Sequence, residues 1–125
     1  MFISMDQEFE LKNTFLEEYS SAILLKNMGK LKSATILISK SLFALCDYII
    51  FKKYGKLPKN HSERFRILEL KEKDIFSEID STWSKYIDTY SKPSSEESFE
   101  LLRESIVKVM RNEESCKEIK KIIEQ

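Results

Sequence analysis

The chain is 125 residues long, 42% apolar and 34% charged, and Lys plus Arg balances Asp plus Glu at 21 each. That length fits one domain, residues 1–125, with a real core, and zero net charge excludes a global positive field drawing the chain to nucleic acid or anionic lipid. Only two Gly and two Pro, with abundant Lys, Glu, Leu, Ile and Ser, argue against a sheet and favour a few long helices.

The first segment runs from about Asp6 to Asn27. Leu11, Phe15, Tyr19, Ala22 and Lys26 fall on one line, with Leu16 and Ile23 beside it; spacings of three and four predict an amphipathic helix. Gly29 is the natural left-handed cap, and so short a connection makes the next helix fold back antiparallel.

That next helix, Leu31 to Tyr54, has no internal Gly or Pro, and its apolar residues fill most of the circumference. The pattern predicts a central helix buried on several sides. Lys40 and Asp47, seven positions apart on one stripe, are polar groups placed there at a cost. The helix ends at Gly55, and Leu57-Pro58 forces an extended turn.

Asn60 is an N-cap with Glu63 three residues on, an Asn-x-x-Glu capping box that starts the third helix at His61. Phe65, Ile67 and Leu68 give it an apolar side. Lys71 to Asp74 is a polar interruption that bends the chain or separates two helices. The apolar pattern returns with Ile75, Phe76, Ile79, Trp83, Tyr86, Ile87 and Tyr90. After a loop at Ser91 to Ser94, Ser94 and Glu97 read as a second capping box ahead of Phe99, Leu102, Ile106, Val109 and Met110. Cys116, Ile119, Ile122 and Ile123 resume the stripe weakly in a tail that docks, pairs with another subunit or frays.

The two cysteines, Cys46 and Cys116, have neither the number nor the spacing of a zinc site or disulfide framework and are expected to be reduced. No metal or other cofactor is expected. The opening residues lack a secretory pattern, and the apolar run Leu42 to Phe51 is interrupted by Asp47 and too short for a bilayer span. A cytoplasmic protein without membrane association is the expectation.

Gly29, Ala34, Lys40, Leu42, Tyr54, Gly55, Pro58, His61 and Leu68, in this order and spacing, resemble the HEPN domain. The resemblance covers the first helical hairpin and the third helix; the half from Trp83 to Met110 fits by pattern. It implies an all-α, antiparallel up-and-down bundle of four to five helices and a homodimer. It also implies a role in nucleotide or RNA biology, often beside a small nucleotidyltransferase in a toxin–antitoxin pair. The family's ribonuclease branch carries Arg-x(4–6)-His late in the bundle. Arg111-Asn112 matches its front, but Cys116, Lys117 and Glu118 stand where the histidine belongs, and the only histidine is His61. Proton transfer from a ribose hydroxyl then has no evident agent.

His61 and Arg64, one turn apart at a helix start, form with Lys40 and Asp47 a candidate ligand-binding pocket for an anion or nucleotide phosphate. The plainer reading, given more weight, is that Asp47 needs a partner and that His61, Arg64 or Tyr19 supplies it, locking helix three to helix two. Lys52, Lys53, Lys56 and Lys59 make a small basic rim. Arg111 reads as solvated surface, and Trp83, Tyr86 and Tyr90 as core or interface rather than base-stacking residues. The favoured function is a non-catalytic nucleotide- or RNA-binding or protein-interaction module. The alternative is a metal-independent endoribonuclease with a displaced site, His61 with Arg64 or Arg111, at a dimer interface.

Overall fold

The computed structural model describes residues 5–111 and 113–124. Two glycines set its first turns. After α1 (Met5–Asn27), Gly29 adopts φ 78°, where any side chain would be strained and glycine is not, and the Lys30 and Gly29 amides donate to the Leu25 and Lys26 carbonyls at 2.9 and 3.0 Å. These two bonds make a Schellman cap. Gly55, at φ 66°, closes α2 (Leu31–Tyr54) in the same left-handed region.

In α2 every residue from Ser41 to Cys46 is buried, as expected of a central helix, but Lys40 is exposed, so of the polar pair only Asp47 is shielded. Its hydroxyls are spent locally: Thr35, Ser39 and Ser41 each donate to a carbonyl one turn back, so their burial leaves no orphan donor. Although α2 is long and apolar enough to cross a membrane, 78% of its most apolar 18-residue window is buried inside the protein.

Three further helices pack round it. Asn60 caps α3 (His61–Lys71) by accepting the Glu63 amide at 2.9 Å, the N-cap expected at this position. Glu72 then separates α3 from α4 (Lys73–Asp88), so the polar interruption is a break between two helices. The next helix, α5 (Glu96–Arg111), starts one residue later than its capping box suggests. Ser95, not Ser94, accepts the Ser98 amide at 3.1 Å, which places Phe99, Leu102 and Ile106 on the core. A 3₁₀ turn at Glu114–Cys116 leads to α6 (Lys117–Ile123). Asn112 and the last residue lie outside the described residues.

The described residues contain no strand and form six α-helices where four to five were expected, the short α6 being the addition, and the fold is a helical bundle. Helix α2 touches α1, α3, α4 and α5. The direction alternates except at α3. His61 packs on Phe43 and Arg64 on Asp47, while Tyr54 reaches Lys71, so α3 runs in the same direction as α2. The segment 55–60, with Pro58 buried, carries the chain back along the bundle to make this possible. At the other end Lys32 donates to the Thr89 and Lys92 carbonyls at 3.0 and 2.8 Å, satisfying open acceptors where α4 ends. The tail docks through Ile119, which is fully buried.

Leu42 is fully buried, whereas Leu70 is 71% exposed. Leu42→Ala is expected to cost about 3 kcal/mol in denaturant unfolding, from lost transfer energy and a residual cavity, and Leu70→Ala under about 0.5 kcal/mol.

Candidate functional site

Where α3 begins, four helices meet round a depression of about 330 Å³. Helix α1 supplies Thr14 and Glu18; α2 supplies Lys40, Phe43 and Asp47; α3 supplies His61 and Arg64; α4 closes it with Tyr86. Lys40 and Asp47 share a wall because seven residues are nearly two helical turns. The cap at Asn60 sets the start of α3, and this puts His61 and Arg64 one turn apart over Asp47. All four residues singled out from the sequence therefore line one depression.

Their connections are specific. The Arg64 guanidinium donates through Nε to Asp47 Oδ1 at 2.7 Å and through Nη2 to Oδ2 at 2.9 Å, a bidentate fork matched to a carboxylate. Its third nitrogen, Nη1, lies 2.6 Å from His61 Nδ1. A guanidinium only donates, so Nδ1 accepts and the neutral imidazole carries its proton on Nε2. Phe43 lies under the guanidinium, 5.4 Å from ring centre to carbon. Both partners are well shielded, the Arg64 and Asp47 side chains being 10% and 15% exposed. Asp47 thus takes Arg64 as its partner, not Tyr19, which stacks on Phe15 with ring centres 5.6 Å apart and lies against Arg103.

Aromatic rings clamp the imidazole. Phe43 and Trp83 meet His61 edge-on at 4.9 and 5.0 Å, and Tyr86 lies 6.0 Å away. Burial, and then the neighbouring Arg64 cation, push the His61 pKa below its ordinary value; the Asp47 carboxylate opposes this. Across the depression burial raises the Glu18 pKa, and the Lys40 ammonium works against the rise. Lys40 and Arg64 face Glu18 and Asp47, two cations against two carboxylates, so the depression carries no net charge to draw an anion.

The other candidates fall elsewhere. Arg111 is exposed near the Glu113 turn and lines neither depression that holds His61. Half of the basic rim is neutralised: Lys52 pairs with Glu8 at 3.4 Å, and Lys53 with Glu72 at 2.7 Å and Glu113 at 3.4 Å. Trp83 and Tyr86 belong to the aromatic packing that holds His61, while Tyr90 is exposed with its hydroxyl 3.1 Å from that of Tyr86. Cys46 and Cys116 are free, buried thiols; burial raises both, that of Cys116 to about 12, which leaves neither a ready nucleophile. Among the described residues no group of His, Cys, Asp and Glu is placed to hold a metal ion. Thr14 and Glu18 were missed by sequence reasoning because they sit at the margin of the apolar line of α1, where a polar side chain reads as the start of the solvated face.

Comparison of the chain with family models, with curated proteins and with solved structures finds no match in any of the three.

Two outcomes follow from this geometry. Arg64→Met strands the shielded Asp47 carboxylate and is expected to cost about 3 kcal/mol in chemical denaturation, with Asp47→Asn on that background recovering part of it. Because the folded-state His61 pKa lies below the unfolded value near 6.5, its contribution to stability is full above that pH and is lost as pH falls towards the depressed folded value. The stability difference between wild type and His61→Gln should therefore shrink on acidification below 6.5, measured by unfolding at a series of pH values.

Proposed function

We propose that the chain is a non-catalytic HEPN-like interaction module, assembled as a homodimer. Its partner class is a protein, the nucleotidyltransferase of a toxin–antitoxin type pair being the one the resemblance implies. The observation that carries this reading is the Asp47–Arg64–His61 connection. A ribonuclease built at this turn needs an imidazole free to accept a proton and a cation free to hold the developing phosphate charge. Here Nδ1 already accepts from Arg64, Nε2 carries the proton, and each guanidinium nitrogen has a partner. The chemistry of the turn is spent on holding α3 against α2. The same connection weighs against the binding of nucleotide or RNA phosphate at this depression, where Arg64 is bound and Lys40 faces Glu18.

The alternative reading, an endoribonuclease using His61 with Arg64 or Arg111, is tested by incubating metal-free wild type and His61→Ala with single-stranded RNA, the fold of each checked by circular dichroism. No cleavage above background by either protein is expected. Cleavage by wild type that disappears in a folded His61→Ala protein would overturn the non-catalytic reading.

A further inference from the structure

The outer face of α1 carries a pattern that the core uses only in part, Leu16 and Ile23 resting against it with one side each. Phe9, Leu16 and Ile23 recur every seven residues, with the small polar residues Asn13 and Ser20 between them, which is the spacing of a helix seam that meets another helix. Phe9 is 55% exposed. Leu16 and Ile23 are half-buried beside Ile122 and Ile123 of α6, where they line an open, mainly apolar groove of about 430 Å³. Ile122 is itself 41% exposed. An apolar groove extended along the helix by an exposed Phe9 and rimmed by charge marks an association surface rather than ordinary scatter.

The rims have opposite signs. On the side of the strip away from α6 stand Glu10 and Glu17, each one residue after a strip residue and both exposed. On the α6 side stand Lys117, 4.0 Å from Glu114, and Lys121, also exposed, while Glu118 between them is taken by Lys12. Their heights along α1 correspond. Lys12 bonds Glu118 at 2.8 Å, and Ile122 and Ile123 lie beside Leu16 and Ile23, so α6 runs in the same direction as α1. Lys117 is therefore near the level of Glu10, and Lys121 near that of Leu16 and Glu17.

We propose that a second copy of this chain docks here, α1 against α1, parallel and in register about a twofold axis running along the strip. Such an axis exchanges left and right but preserves height, and it sets Glu10 and Glu17 of one copy opposite Lys117 and Lys121 of the other. A twofold axis across the strip would instead oppose acid to acid and base to base. The seam then stacks Phe9 on Phe9, Leu16 on Leu16 and Ile23 on Ile23, with Ser20 facing Ser20. This assignment rests on the homodimer in the proposed function and gives it a surface and an orientation.

The test is light scattering over a dilution series, with helicity followed by circular dichroism. Wild type should be dimeric, and Leu16→Glu should weaken association roughly tenfold or more with unchanged helicity; Phe9→Glu, at a more exposed position, replaces it if Leu16→Glu unfolds. Glu17→Lys should weaken the dimer and Lys121→Glu added to it should restore it. Ser20→Cys should trap a disulfide-linked dimer, since both native cysteines are buried. A monomeric wild type overturns the surface and the homodimer together. A dimer indifferent to Leu16→Glu and Phe9→Glu, and not trapped by Ser20→Cys, overturns the surface alone.

Discussion

An acidic side chain on the most apolar helix of a small bundle sets the terms for much of its neighbourhood. Asp47 follows a run of buried residues on α2 and cannot be left without a counter-charge at tolerable cost. Arg64 supplies that charge, and to bring it there the chain must leave α2, run back along the bundle past the buried Pro58 and restart a helix at the level of Asp47. The parallel course of α3, the cap at Asn60 and the aromatic seat of His61 all serve that placement. A hydrophobic pair of similar volume would have been energetically easier to bury. The ion pair adds geometry, because a bidentate fork fits in one orientation where apolar surfaces tolerate several.

Much of this was legible in the chain. Absence of Gly and Pro from residues 31–54, together with apolar residues on most sides, is enough to identify a central helix, and Asp47 among them is enough to demand a partner; Lys40, read as its buried companion, is exposed. Asn60 fixed the start of α3 because a cap is a local interaction between residues three apart. The same logic misplaced the next cap by one residue: Ser94 and Ser95 are chemically equal at the start of a helix, and what decides between them is which register puts Phe99 and Leu102 into the core. That is tertiary information.

Partner choice was less legible for the same reason. Tyr19, His61 and Arg64 were equally eligible for Asp47 until the course of α3 was known. The lysines at 52 and 53 look like a basic rim when read along α2, yet Glu8, Glu72 and Glu113 come from three other segments to meet them. Glu18 entered the depression unannounced because nothing in the pattern of α1 distinguishes it from a solvated glutamate. Charge complementarity across a fold is invisible to periodicity; periodicity reports only which side of each helix faces inward.

Trp83 is the only tryptophan in the chain, and it sits with its ring 5.0 Å from the His61 imidazole and 5.1 Å from Phe65, bridging α3 and α4. Its indole emission is consequently a built-in optical gauge of one contact. Any event that lifts α3 from its seat, whether heat, acid or the grip of another molecule, changes the surroundings of that single indole, and the protein reports on its own keystone without a label.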